Sequence, residues 1–164
     1  MHSPKFHPLE ELTGRIAAAK EAGRTVALAN GGFDLLHIGH IRYLQAAKRQ
    51  ADILVVALNS DRSLRRLKGE HRALLDEYNR VTIIAALACV DFVTVFDELR
   101  VDRVLLALQP HWHCKGSDYT PETVPEREVV ASYGGRIAIV GGEKVRSTSE
   151  IILEIRRRYG APPA

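Results

Sequence analysis

Short apolar runs alternate with longer segments of helical periodicity along the whole chain. Each run is apolar on both faces, and apolar residues recur at helical spacing in the segment that follows it. The runs are TVALAN (25–30), DILVVALN (52–59), DFVTVF (91–96), HWHCK (111–115) and RIAIV (136–140). Such runs, separated by helices, are typical of a parallel sheet covered on both sides, because parallel strands need long crossover connections. The pattern therefore predicts an α/β protein with a doubly wound parallel sheet of about five strands.

A further helix is predicted ahead of the first strand. Leu9, Leu12 and Ile16 lie at helical spacing, with a proline near the start of the segment and a glycine at its end. The predicted organisation is an N-terminal helix and arm at 1–23, the main domain at 24–160 and a C-terminal tail at 161–164.

Composition limits the classes of protein that need to be considered. A chain of 164 residues with 46% hydrophobic content can bury one ordinary core, so a single domain is expected. The balance of 23 basic and 20 acidic residues gives a net charge of +3, which is too small to predict nucleic-acid or membrane binding. Cys89 and Cys114 lack the spacing of a disulfide framework or a zinc finger. With no pattern typical of a secretion signal or a membrane span, we expect a soluble cytoplasmic protein.

Three of the predicted strands are followed by unusual residues. In doubly wound sheets, ligands bind beyond the carboxyl ends of the strands, where the strand order reverses. NGGFDLLHIGH (30–40) follows the first strand, KGSDY (115–119) ends the fourth, and GGEKVRSTSE (141–150) follows the fifth. These three strand ends are the candidate parts of one site.

The first strand end has the features of an anion site. The Asn-Gly-Gly turn at 30–32 lets a ligand approach the backbone closely, and a helix is predicted to begin near Ile38 with its amide groups exposed. His37 and His40 are three residues apart and would share one face, while Gly39 between them leaves room for a phosphate. Such a pair can donate hydrogen bonds to phosphate oxygens during phosphoryl or nucleotidyl transfer.

Other interpretations of these residues stay open. Either histidine could be a packed core residue or a helix cap, and the spacing of three could also hold zinc if further ligands were present. His111 and His113 alternate on one strand face next to Cys114, which raises a second metal hypothesis, although no matching cluster appears elsewhere. Neither G-x-G-x-x-G nor the Walker loop is present, so the phosphate site is of a different design.

The stretch GGFDLLHIGHIRYL (31–44) resembles the His-x-Gly-His signature of the nucleotidyltransferase superfamily, in its cytidylyltransferase-like branch, whose members carry G-x-F-D just upstream. The resemblance covers nearly the whole chain and is greatest to the D-glycero-β-D-manno-heptose 1-phosphate adenylyltransferases. The further matching motifs are LNSD (58–61), RRLKGEHR (65–72), RVTIIAALACVDFVTVFDE (80–98), KGSDYTPE (115–122), YGG (133–135) and STSEII (147–152).

The resemblance implies a Rossmann-like, five-stranded fold of the HUP-like nucleotidyltransferase type in residues 24–160. It also implies transfer of AMP from ATP to the heptose phosphate, with Mg²⁺ on the triphosphate. The product would be ADP-heptose, a lipopolysaccharide precursor. Relatives suggest a homodimer, and because some of them are fused to a sugar kinase, a separate kinase is expected for a chain of this length. Two rivals remain: a CTP-dependent enzyme acting on glycerol 3-phosphate or a similar polyol phosphate, and a nucleotide-binding module without turnover.

Residues and resemblance together predict the members of the site. The expected catalytic residues are His37, His40 and Lys68. The expected nucleotide-binding residues are Gly32, Phe33, Asp34, Gly39, His40, Lys115, Gly116, Asp118, Ser147, Thr148 and Ser149. The expected acceptor-binding residues are Asn59, Lys68 and Arg72.

Two of these regions also carry structural expectations. Ser147 and Glu150 form a capping box at the start of the last helix, and Lys144 and Arg146 add positive charge beside it. Lys68 and Arg72 are expected in a mobile loop after the second strand, while the other basic residues of 62–72 form a solvated helix face.

The sequence departs from the family pattern at several positions. Gly32 stands where relatives often have cysteine or valine, and Ala73 stands where a proline usually follows the loop arginine. The fourth strand reads PHWHCKG (110–116) where a plain apolar strand is usual, and Lys144 and Arg146 add charge that the pattern lacks. These departures leave open the loop shape and the choice of nucleotide and acceptor.

Overall fold

The structure, a computed structural model, describes residues 3–142 and 147–160 and consists of a parallel sheet between two layers of helices. The strands are β1 (Val26–Gly31), β2 (Ile53–Asn59), β3 (Phe92–Phe96), β4 (Trp112–Lys115) and β5 (Arg136–Ile139). The helices are α1 (Leu9–Glu21), α2 (Ile38–Lys48), α3 (Asp61–Lys68), α4 (Glu77–Ala85), α5 (Asp102–Leu108), α6 (Arg127–Ser132) and α7 (Thr148–Tyr159). Every predicted strand is present, and the predicted doubly wound α/β fold is confirmed.

The sheet is covered by apolar side chains on both faces because successive residues of a strand point to opposite sides. In β2, Val55 packs with α1 and α5 in one core cluster, whereas its neighbours Leu54 and Val56 pack with α2 and α4 in the other. All seven residues of β2 are buried, which explains why the run reads as continuously apolar rather than alternating.

The strand order fixes where a ligand can bind. The order is β3-β2-β1-β4-β5, so the chain moves outward in one direction from β1 to β3 and then crosses to the other side of β1. The reversal lies between β1 and β4, where Ala29 is in register with Cys114. The following residues of both strands, Asn30 and Lys115, therefore lie side by side at the carboxyl edge of the sheet.

The N-terminal segment packs on this sheet. In the arm, Lys5 and His7 exchange backbone hydrogen bonds with Val93 at the β3 edge, and α1 buries Leu12 and Ile16 in the main core. The division at residue 23 stays a prediction, and the predicted tail at 161–164 lies outside the described residues. No helix within 3–142 or 147–160 is long and apolar enough to cross a membrane.

Candidate functional site

A cavity of about 880 Å³ opens at the carboxyl ends of β1, β2 and β4. The three strand ends identified from the sequence all contribute to its wall. The predicted site residues that line it are Gly32, Phe33, Asp34, His37, Gly39, His40, Asn59, Lys68, Arg72, Lys115, Gly116, Asp118, Ser147, Thr148 and Ser149. The fold thus brings together every residue of the predicted site, while their individual roles remain predictions.

The two histidines are stacked on each other at the start of α2. Their ring centroids are 3.8 Å apart, and the edge of Phe33 packs against His40 at 5.1 Å. His37 is the N-cap of α2, and its Nδ1 accepts a hydrogen bond from the backbone N–H of Gly39 at 3.2 Å. The cap interpretation is therefore correct for His37, and it places the proton of a neutral His37 ring on Nε2.

Burial keeps the second histidine uncharged. Burial and, to a smaller extent, the charge of His37 lower the pKa of His40 to about 4. At neutral pH His40 is therefore a neutral hydrogen-bond donor, and its Nδ1 is buried without a partner among the described residues. A neutral imidazole can stabilise a phosphate oxygen without the desolvation cost of a buried charge.

The turn before the histidines has a strained backbone. Phe33 has a φ of 47°, in the left-handed region that non-glycine residues rarely adopt, and its ring is buried in the core. A Cβ on Gly32 would lie 2.6 Å from Leu64 Cδ1, so the absence of a side chain lets α3 pack against the turn. This contact gives a physical reason for a glycine where relatives often have a larger residue.

Lys115 supplies positive charge from β4, on the other side of the cavity. Its Nζ donates a hydrogen bond to Asn30 Oδ1 at 3.0 Å and lies 3.1 Å from Glu126 Oε2. Only 7% of the lysine is exposed, although its ammonium group lies at the cavity wall with Gly116 and Asp118.

The segment after β2 differs in one respect from the prediction. Lys68 is the last residue of α3 rather than part of a loop, because Ser60 caps a helical run that continues until Gly69 takes a φ of 103°. The loop begins at Gly69, and Arg72 Nη2 donates to Ser149 Oγ at 2.7 Å, which connects this loop to α7. Ala73 has a φ of 62°, which a proline could not adopt, so the backbone here excludes the proline that usually follows the loop arginine in relatives.

The start of α7 has the expected capping box. The backbone N–H of Glu150 donates to Ser147 Oγ at 3.3 Å, and the Ser147 N–H donates to Glu150 Oε2 at 2.6 Å. Thr148 Oγ1 donates to the carbonyl of Leu35 at 3.4 Å, which fixes the helix against the turn after β1. The predicted contributions of Lys144 and Arg146 lie outside the described residues.

Arg80 was not among the residues predicted from the sequence. It is fully buried in α4, and its guanidinium donates to the carbonyls of Gly32 and Asn59 at 2.7 and 2.8 Å and pairs with Asp61 at 2.7 Å. Arg80 therefore ties the ends of β1 and β2 together beneath the site. An arginine directly before the mostly apolar segment VTIIAALA (81–88) was the available signal.

Glu126 was also missed, because PEREVV (125–130) reads as an ordinary charged helix start. It is 4% exposed and lies between Lys115 and the ring of His113, whose Nε2 is 3.6 Å from Glu126 Oε2. Two other residues of HWHCK (111–115) also have hydrogen-bond partners: His111 Nδ1 accepts from the Val26 N–H, and the backbone carbonyl of Cys114 accepts from the Tyr43 hydroxyl.

Within the part of the chain that the structure describes, no group of three or more histidine, cysteine or acidic residues is arranged to hold a metal. One carboxylate does fit a metal that is bound mainly by a ligand's phosphates. Asp34 lines the cavity, and its buried Oδ2 lacks a hydrogen-bond partner among the described residues, while Oδ1 accepts from Leu75 N–H. Such an oxygen suits Mg²⁺, which is commonly held by one or two carboxylates together with substrate phosphates.

Known proteins resemble this chain over most of its length. The cytidylyltransferase-like family model matches residues 28–160. The bifunctional protein HldE of Geobacter metallireducens is 51% identical over 156 residues, which are 95% of this chain and 32% of the relative. HldE of Geobacter sulfurreducens is 49% identical over the same shares of both chains. The chain thus spans about a third of the length of these curated relatives.

A solved structure has a similar fold. The crystal structure of a lipopolysaccharide core biosynthesis protein from Thermoplasma volcanium superposes with a TM-score of 0.62 at 28% sequence identity. The match covers 74% of this chain and all of that one.

Proposed function

Because the chain belongs to the cytidylyltransferase-like family, we propose that it transfers AMP from ATP to D-glycero-β-D-manno-heptose 1-phosphate, giving ADP-heptose and pyrophosphate. The observation that carries the proposal is the stacked histidine pair in one cavity with the basic residues of β4 and α3. The choice of acceptor is supported by the motifs shared with the heptose 1-phosphate adenylyltransferases and by the likeness to HldE proteins and to a lipopolysaccharide core biosynthesis protein.

The reaction requires alignment more than acid–base chemistry. A phosphate oxygen of the acceptor attacks the α-phosphorus of the nucleotide in line. The new oxygen–phosphorus bond forms as the bond between the α-phosphorus and its bridging oxygen breaks, and pyrophosphate takes the electron pair. A phosphate monoester is already a nucleophile near neutral pH, so the protein does not need a general base. Its contribution is to hold the two substrates together and to offset the developing negative charge.

His37 and His40 are the proposed donors to the α-phosphate. Their stacking at the first turn of α2 directs two ring edges and the helix N-terminus toward the same region. Donors fixed in advance need no reorganisation as charge develops, which is why they favour the transition state over the bound substrates.

Basic and hydroxyl side chains would hold the remaining phosphates. Lys68 and Arg72 lie on the α3 side of the cavity and are the proposed contacts of the acceptor phosphate together with Asn59. The start of α7, with Ser147, supplies hydroxyl and amide groups for the outer phosphates of the nucleotide.

We propose Mg²⁺ as the cofactor, with Asp34 as its protein carboxylate. Bound there, the ion would neutralise charge on the leaving phosphates. The reaction class that supplies the acceptor is a phosphotransfer to the sugar, so we also propose a sugar kinase as the partner in supply. We propose a homodimer as the working form.

A second candidate is the same transfer with CTP and glycerol 3-phosphate or a similar polyol phosphate, and the family description favours CTP as the nucleotide. The test is pyrophosphate release with Mg²⁺, pairing ATP or CTP with the heptose phosphate or glycerol 3-phosphate in all four combinations. We expect release only with ATP and the heptose phosphate. Release only with CTP and glycerol phosphate would replace the substrates and keep the mechanism. Nucleotide binding without release from any pair would favour a binding module.

A further inference from the structure

We propose that Glu126 is a positioning residue, which holds the ammonium group of Lys115 at the cavity wall for a phosphate of the bound nucleotide. We refer to Lys115 with Glu126 as the lysine pair. The inference deepens the proposed function, since it concerns how that site binds the nucleotide. It assigns to the site a residue that does not itself need to touch the substrate.

The contacts of Lys115 leave one direction for a ligand. Its ammonium group has three N–H donors. One is directed to Asn30 Oδ1 at 3.0 Å, and the group also pairs with Glu126 Oε2 at 3.1 Å. Asn30 ends β1 and Glu126 precedes α6, so the ammonium is fixed from two sides by elements that are distant in sequence. The third donor can meet a phosphate oxygen in the cavity that these residues line.

The position of Glu126 in its own helix supports this role. Glu126 is the N-cap residue of α6, where an acidic side chain usually accepts a hydrogen bond from the first turn of the helix. Here the side chain makes no such bond and points to Lys115 instead. The carboxylate is therefore used between elements and not within its own helix.

Electrostatics explain why a buried lysine at this point needs a carboxylate. Burial lowers the pKa of Lys115, and the charge of the Glu126 carboxylate, 3.1 Å from Nζ, opposes that effect. For Glu126, burial alone would raise the pKa, but His113 and Lys115 outweigh it and lower the pKa to about 2. The pair is thus held in its charged form, which the phosphate requires.

Other charged and titratable groups around the lysine pair have smaller or opposed effects. His113 is fully buried behind Glu126, and burial lowers its pKa. Arg100 and Asp102, near the start of α5, pull the pKa of Lys115 in opposite directions and are paired with each other at 3.0 Å. The ring of Tyr119 lies 5.3 Å from Nζ. Glu126 is the largest of the influences that keep the lysine charged.

The first experiment measures Lys115 in the ligand-free protein and does not depend on any activity. The ¹³Cε resonance of Lys115, assigned by its loss in Lys115→Met, is titrated with pH in the wild type and in Glu126→Gln. Glutamine keeps the shape and an acceptor oxygen but removes the charge. We expect the midpoint of Lys115 to fall in Glu126→Gln and to stay in Glu128→Gln, whose side chain is exposed two residues further along the chain. An unchanged midpoint in Glu126→Gln would overturn the proposal.

The second experiment tests the consequence for the nucleotide. Calorimetry measures the Kd of whichever of ATP and CTP the wild type binds, in the presence of Mg²⁺. Glu126→Gln should raise the Kd by about tenfold, the usual scale for losing a charged hydrogen bond, and Glu128→Gln should not change it.

A double mutant separates positioning from a direct contact. If Glu126 acts through Lys115, Glu126→Gln should have no further effect on the Kd in a Lys115→Met background. The same fold increase in both backgrounds would overturn the proposal, since Glu126 would then act without the lysine. Thermal unfolding of each variant shows that the folded protein is being measured. Failure of the proposed function appears separately, as wild-type protein that binds nucleotide but releases no pyrophosphate with any acceptor.

Discussion

The histidine turn (residues 30–40) and the lysine pair lie on the same cavity but are held by different kinds of interaction. In the turn, His37 caps its own helix and stacks on a residue three positions later, so its contacts are short-range in sequence. Lys115, by contrast, depends on Asn30, which is 85 residues away, and on Glu126 from a different helix. The turn presents the neutral ring of His40, whereas the pair presents a buried charge.

This difference shows two ways of placing phosphate-binding groups in a partly buried site. A neutral donor costs little to bury and can be positioned by a short motif. A buried ammonium needs a compensating carboxylate, and only the folded chain can bring one close. Conservative substitutions in the histidine turn should therefore leave its structure intact. Loss of either partner of the lysine pair should not be tolerated.

The largest expected effect separates the capping role of His37 from its proposed catalytic role. Asparagine is also a good N-cap, so His37→Asn should keep the start of α2 and leave the unfolding midpoint nearly unchanged. It removes the imidazole, however, and turnover should fall by about 10²–10³-fold, as for loss of one oxyanion donor. Steady-state kcat and thermal unfolding measure the two effects. A folded His37→Asn protein with normal kcat would leave His37 as a cap alone.

Acidification should titrate His40 and Glu126 in different pH ranges. The folded-state pKa of His40 is about 4 against an unfolded value of 6.5, so the unfolded chain binds the proton first. The contribution of His40 to the free energy of unfolding is thus complete above pH 6.5. It is lost as the pH falls toward 4 and amounts to at most about 3 kcal/mol. Glu126 has a pKa lowered from 4.5 to about 2, so its contribution is lost only below 4.5.

Urea unfolding at about pH 7 and about pH 4.5 measures the stability lost through protonation of His40, before the protonation of Glu126 begins to contribute. His40→Asn should lose less stability across this interval than the wild type. Equal losses in both proteins would show that His40 is not the group that titrates.

The histidine turn also packs against α3, and a substitution of Gly32 tests how much the stability of the protein depends on that contact. A Cβ there would meet Leu64 Cδ1 at 2.6 Å, so Gly32→Ala should destabilise the protein by about 1–2 kcal/mol unless that methyl group moves. Gly14→Ala is the matched control, because Gly14 is in α1 with nothing within 4 Å, and it should stabilise by about 0.5–1 kcal/mol. Chemical denaturation measures both. No destabilisation in Gly32→Ala would mean that the Leu64 side chain moves aside without cost.

The smallest effect concerns α7, another element held by a local motif. None of its described residues is buried, so the capping box is a large part of what fixes its first turn. Ser147→Ala should cost about 1 kcal/mol and speed amide exchange in α7 without changing exchange in β2. Ser147→Asp keeps the cap but adds negative charge, so it should restore protection while weakening nucleotide binding. Equal exchange in the wild type and in Ser147→Ala would show that the cap does not stabilise α7.

Much of this architecture could be predicted because the signals are local. The five strands follow from runs buried on both faces, and the capping box at Ser147 follows from two residues three positions apart. The extent of α3 was misjudged at Lys68 because KGEHR (68–72) looks like loop composition, while Ser60 and Gly69 set the actual ends of the helix. Element boundaries depend on such competing caps more than on periodicity.

The sequence by itself determined the sheet, the turn that carries His37 and His40, and the set of residues expected around a phosphate. It could do so because each depends on residue types at short, fixed spacing. The tertiary structure alone decided that Arg80 joins the ends of β1 and β2 and that Glu126 faces Lys115. Both are buried charged groups, and their partners lie in other elements of the fold. A buried charge is stable only where folding has brought its partners within contact distance.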